Sequence, residues 1–100
     1  MTVCSVLKSD SLYEVCIKGH SGYDTIGKDI VCSAVSSSFI LTVNLLDKLN
    51  SKMHLITDES IPMMKVTINN YNDIEETILD NLIDCLKDVS RQYPKYLKIK

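Results

Sequence analysis

His20 and Cys32 place a base and a nucleophile on either side of a short glycine-bearing stretch, in the run GHSGYDTIGKDIVCSAVSSS from Gly19 to Ser38. An imidazolium beside a thiolate is the pairing that makes cysteine peptidases reactive. The same run contains a competing pattern. Gly22 to Asp29 reads G-x-x-x-x-G-K-D, one residue short of a phosphate-binding loop. That loop needs Ser or Thr after its lysine to hold magnesium. Asp29 stands there instead, and Asp24 adds a second carboxylate that repels a polyphosphate. The fold behind such a loop is a parallel sheet of βαβ units, which 100 residues with an opening hairpin hardly supply. The phosphate reading is set aside.

The thiol reading has a magnitude to meet. From Asp29 onward the apolar spacing turns helical, which puts Cys32 in the first turn with Lys28 or Asp29 at the boundary. A helix N-terminus favours a thiolate by ~0.3–1 kcal/mol, less than the ~1.4 kcal/mol of one pKa unit. From a starting pKa near ~8.5, Cys32 needs a second positive partner to ionise at neutral pH. His20, ending the preceding strand, is the candidate, because a strand–loop–helix connection can return the chain past its own start. The plain alternative is that Cys32 is a small core residue and His20 a solvated strand end, and spacing alone leaves both open. Cys4, Cys16 and Cys85 are expected in the core. His54, inside the strand-like MHLIT, is expected to be structural or exposed and is the reserve base.

The elements that must position these groups follow from periodicity. Thr2 to Lys8 and Leu12 to Gly19 read as two strands joined by the turn Ser9-Asp10-Ser11, a hairpin. A helix from Asp29 to Asn50 carries the stripe Ile30, Val31, Ala34, Val35, Phe39, Thr42, Leu45, Leu46 and Leu49, with Leu41 and Val43 off it. It is apolar over much of its circumference and is expected to be buried on more than one side. Met53 to Thr57 and Met63 to Asn69 read as strands around Asp58-Glu59-Ser60-Ile61-Pro62. Tyr71-Asn72-Asp73 caps a second helix with acids in its first turn, and Tyr96 to Ile99 is a last strand. The order β-β-α-β-β-α-β over residues 1–100 predicts a single α+β domain, its two helices on one face of a mostly antiparallel sheet.

Composition narrows the function. A formal charge of −2 gives little support to direct nucleic-acid binding by phosphate neutralisation. Lys95, Lys98 and Lys100 read as a solvated strand edge. The apolar run Ile30 to Leu46 is broken by four serines and Asn44, which favours a buried helix over a membrane span. MTVCSVLKSD has no cationic region followed by an apolar core, so a cytoplasmic chain with reduced thiols is expected. With no C-x-x-C and two histidines, no metal site is expected.

The run GHSGYDTIGKDIVCSAVSS resembles the signature of the ribosomal-processing cysteine protease family (Prp): a G-H pair, a glycine-bearing loop, then G-x-D-I-V-C-x-x-V-S. The match falls on Gly19, His20, Gly27, Asp29, Ile30, Val31, Cys32, Val35 and Ser36, and the length and element order agree along the chain. The resemblance implies a cytoplasmic, homodimeric α+β endopeptidase without cofactor. Such enzymes remove the short N-terminal extension of a large-subunit ribosomal protein, cutting at an aromatic-Phe-Ala type sequence. It implies that His20 is the general acid and base and Cys32 the nucleophile, with Ser21 to Ile26 a mobile, substrate-facing loop. Asp29 either orients His20 or caps the helix, Ser36 stands one turn after Cys32, and the amides near Cys32 and Ser33 are the oxyanion donors expected. Ser33 departs from the small Ala or Gly common in the family. The competing class is a non-enzymatic ribosome-assembly or protein-binding module in which Cys32 is only core.

Overall fold

The computed structural model describes residues 1–19, 26–58 and 60–100, and of residues 26–29 the backbone. Its elements are β1 (Thr2–Lys8), β2 (Leu12–Lys18), α1 (Ile26–Lys48), β3 (His54–Asp58), β4 (Met63–Asn69), α2 (Asp73–Gln92) and β5 (Leu97–Ile99). The five strands form one sheet in the order β3-β4-β2-β1-β5. Every pairing is antiparallel except β1 with β5. The predicted α+β architecture stands.

Alternation sets the layers. Tyr13, Val15 and Ile17 of β2 are buried, whereas Glu14, Cys16 and Lys18 between them face the open side. Opposite them in β4, Val66 and Ile68 are buried on the same inner face. The helices cover that face, with Val31, Val35, Phe39 and Leu46 of α1 and Leu79, Leu82 and Leu86 of α2 completing one core. Each fully buried Leu or Phe contributes on the order of 1.5–3 kcal/mol.

The second helix starts where its sequence says it should. The Asn72 side chain accepts the Glu75 amide at 2.8 Å, and the Glu75 carboxylate accepts the Asn72 amide at 2.9 Å. This reciprocal cap satisfies two otherwise orphaned donors. Glu75 is itself 9% exposed, and its other oxygen accepts the Ser51 hydroxyl.

The first helix departs from expectation at both ends. It begins at Ile26, not Asp29, because the polar residues and Gly27 ahead of the apolar stripe are compatible with helical backbone although they carry no apolar period. It ends at Lys48, where Asn50 takes the left-handed conformation (φ 59°) and Ser51 N–H donates to the Leu46 carbonyl at 3.0 Å. Asn50 N–H donates to Asp47 at 3.0 Å, completing a Schellman motif. Within the single chain its burial is confined to one side, where burial on more than one side was expected. Ile30, Leu45 and Leu49 of the predicted stripe are exposed, alongside Ile40 and Leu41. A single sheet can bury only one side of a helix. Residues Ile30–Lys48 have a mean hydropathy of 1.6, long and apolar enough to cross a membrane, yet their inner face packs into the core.

Candidate active site

The register gathers one end of the sheet beneath the start of α1. Lys18 lies opposite Val3 on one side and Met63 on the other, and Met63 lies opposite Asp58. The beginning of β1, the end of β2 and the β3–β4 turn therefore share an edge. A cavity of about 500 Å³ opens there. Thr2, Ile17 and Gly19 form one wall, Thr57, Asp58, Pro62, Met63 and Met64 another, and Cys32, Val35 and Ser36 of α1 the roof.

Cys32 and Ser36 line this cavity together because residues four apart stack on one helical face. Cys32 is half-buried and unpaired. Its place in the helix corrects the expected first-turn position, since a helix starting at Ile26 puts Cys32 in the second turn. The free amide donors at the mouth, among the described residues, then belong to 26–28, not to Cys32 and Ser33, whose N–H groups lie within the helical ladder. Asp29 is likewise inside the helix, so the cap expected of it is ruled out. Gly27 is also helical, where a loop glycine was expected. Among the described residues no glycine has positive φ.

His20 and the loop positions 21–25 lie outside the described residues, whereas Ile26, the expected last loop residue, opens α1. The reserve base has no place here. His54 is exposed at the far end of β3 from the cavity, on the row shared with Thr67.

The charge lining the described cavity is Asp58. Its carboxylate accepts Ser60 Oγ at 2.7 Å, Ser60 N–H at 2.9 Å and Ile61 N–H at 3.3 Å. Those donors, the Ser60 hydroxyl foremost, hold it below the usual carboxylate range. The result is a pinned turn at the cavity lip. Gly19 is pinned too, its N–H donating to the Pro62 carbonyl at 3.0 Å. Among the described residues no cluster of three His, Cys, Asp or Glu is arranged to hold a metal ion.

The other cysteines divide. Cys4 is sealed in the core as expected, and burial, helped by the nearby Cys16, pushes its thiol up to about 11. Cys16 is half-buried on the open face of the sheet. Cys85 was expected in the core but is exposed, lying just outside the α2 stripe that Leu82 and Leu86 define.

Seven lining residues escaped the sequence reading: Thr2, Ile17, Thr57, Asp58, Pro62, Met63 and Met64. The signal for them was strand pairing. The β1–β2 hairpin alone would have placed Thr2 beside the segment leaving β2, but the β2–β4 pairing is not written in either strand.

The family model for the cysteine protease Prp matches residues 1–98. The chain belongs to the cysteine protease Prp family. It is by that membership a cysteine-type peptidase. The essential ribosomal processing protease Prp from S. aureus, crystallised with a substrate peptide, has 18% sequence identity to it. The TM-score is 0.88, over 100% of this chain and 98% of that one. The same S. aureus protease with a covalently linked product peptide has 20% identity and a TM-score of 0.86, over 100% and 98% of the two chains. SMU.848 from Streptococcus mutans has 23% identity and a TM-score of 0.88, covering 100% of this chain and 92% of that one. At these identities the likeness establishes the Prp fold. No curated protein sequence matches this one.

Proposed function

We propose that this Prp-family chain removes the short N-terminal extension of a large-subunit ribosomal protein precursor, with Cys32 as nucleophile and His20 as general acid and base. The carrying observation is the half-buried, unpaired Cys32 opening onto a cavity of about 500 Å³, within the G-H and D-I-V-C signature. The S. aureus relatives, crystallised with substrate and product peptides, support a peptide in that cavity.

The chemistry runs in two halves. The Cys32 thiolate attacks the scissile carbonyl carbon and forms a C–S bond. The C–N bond breaks as His20⁺ passes its proton to the departing amine. His20 then takes a proton from water, the hydroxide adds to the thioester, and Cys32 leaves as thiolate. Free amides at the α1 mouth are the available donors to the oxyanion, and residues 21–25, between His20 and α1, face the substrate in this reading. Ser36, on the thiol's face of the helix, lines the same cavity and bonds to a site residue or to its own backbone in this reading. The apolar walls from Ile17, Val35, Met63 and Met64 suit large apolar side chains, and methionine adapts to their shape.

The working form in this reading is a cytoplasmic homodimer without cofactor, acting on protein and not on nucleic acid or membrane. Its support is the outer face of α1, where Leu41 is 73% exposed, Ile40 53% and Leu49 51%. A second copy on a twofold axis covers such a face.

The decisive experiment incubates the purified chain with the full-length, extension-bearing ribosomal protein and reads the products by intact mass. A single cut that removes the extension is expected from the wild type, and Cys32→Ala is expected to lower turnover by at least ~10³-fold while folding normally. Undiminished cleavage by Cys32→Ala refutes the assignment. Binding of the precursor without any cleavage returns the non-enzymatic module.

A further inference from the structure

Gly19 follows the last residue of β2 and immediately precedes His20 in the chain. Its backbone has no positive φ, so its conformation does not call for glycine. Its packing does. A Cβ at this position would stand 2.5 Å from Thr2 Oγ1 and 3.0 Å from both Cβ and Cγ2 of Thr2. Two of the three staggered positions on the Thr2 Cβ lie against this point, so every rotamer keeps Oγ1 or Cγ2 there beside Cβ, and rotation does not relieve the crowding. Thr2 cannot retreat either. It is 5% exposed, its N–H donates to the Tyr96 carbonyl at 3.0 Å, and it is paired with Leu97 of β5. On its other side Gly19 donates its N–H to the Pro62 carbonyl at 3.0 Å. Thr2, Gly19 and Pro62 all line the cavity that holds Cys32.

We propose that Thr2 and Pro62 clamp Gly19 so as to set where the chain leaves the sheet toward His20, making Thr2 a positioning residue for the base. The inference rests on the assignment of His20 and Cys32 above. Its physical basis is that a base displaced by about 1 Å from its working geometry costs on the order of 10²-fold in rate. Glycine is required at position 19 because only a residue without Cβ lets the end of β2 lie against the Thr2 side chain.

The test measures kcat and KM on a quenched fluorescent peptide spanning the cleavage sequence of the extended ribosomal protein. The proteins are full-length wild type, Gly19→Ala, Thr2→Ala, the double variant and His20→Ala, and each is also melted thermally. Gly19→Ala is expected to lose about 10- to 100-fold in kcat with KM nearly unchanged. In the double variant, removal of Oγ1 and Cγ2 leaves the Thr2 Cβ contact of 3.0 Å alone, and kcat is expected to recover most of that loss. Recovery of activity by adding a second substitution is a coupling that independent structural damage does not produce. Wild-type kcat in Gly19→Ala, or a loss the double variant does not relieve, overturns the clamp. Should Gly19→Ala fail to fold, the double variant is compared with Thr2→Ala, and folding with kcat restored to the Thr2→Ala level supports the clamp, whereas a lower kcat overturns it. An inactive His20→Ala beside a fully active Gly19→Ala removes the clamp alone. Full activity in His20→Ala removes the base assignment and the clamp with it.

Discussion

The two helices lie side by side on the same sheet and are of similar length, yet they are built on opposite rules. In α2 the apolar residues form a narrow stripe, with Leu79, Leu82 and Leu86 buried and polar or charged residues over most of the remainder. A reciprocal side-chain cap defines its start. In α1 the apolar residues run around the circumference, so a buried face of Val31, Val35, Phe39 and Leu46 is backed by exposed Ile40, Leu41, Leu45 and Leu49. Its first turns carry Cys32 and Ser36 into the cavity. The helix that is ideal for folding adds no residue to the described lining of the Cys32 cavity, and the helix that is extravagant with apolar surface holds the proposed nucleophile. Both helices build the core, and α1 alone also lines the Cys32 cavity.

That contrast can be broken from either side. Leu86→Ala in α2 removes a fully buried side chain and is expected to cost about 2–5 kcal/mol in denaturant unfolding. The specific activity of the protein remaining folded should be unchanged. A selective loss of turnover there would place catalytic geometry on α2 as well. The paired change Leu41→Glu and Leu45→Glu on the outer face of α1 is expected to weaken self-association at least ~100-fold, read by sedimentation equilibrium. A wild type that is monomeric at micromolar concentration would instead leave that apolar face without its proposed partner.

The thiols offer a sharper contrast. Cys85 of α2 is exposed, and Cys32 of α1 is half-buried. Accessibility alone favours labelling Cys85. An activated nucleophile reverses the order, and iodoacetamide at neutral pH is expected to modify Cys32 at least ~10-fold faster, as read by peptide mass spectrometry. Faster labelling of Cys85 would leave Cys32 an ordinary thiol. The smallest effect belongs to the cap. Asn72→Ala should cost about 1 kcal/mol, visible as a lowered thermal midpoint with unchanged kcat/KM.

Much of the fold was legible because short-range periodicity carries it. Both strands of the opening hairpin and β4 were bounded within a residue, since alternation in Tyr13, Val15 and Ile17 reports a half-buried sheet directly. The start of α1 was misplaced by three residues, because a helix can begin before its apolar stripe does. That shift moved Cys32 out of the first turn and removed Asp29 from the cap. Cys85 was misread for a related reason: one position of rotation, about 100°, separates the buried Leu86 from solvent. The G-H and D-I-V-C signature pointed to the family that the whole-chain match establishes.

From the amino-acid order alone came the α+β class, the element sequence and the identity of the chemical groups, since each of these depends on near neighbours or on residue type. The cavity opposite Cys32 was decided only in three dimensions. Thr2, Met64 and Thr57 are remote from Cys32 along the chain and meet it through the β1–β2, β2–β4 and β3–β4 registers. Register is an agreement between strands that neither strand encodes by itself, so the residues facing the thiol appear only when the sheet is assembled.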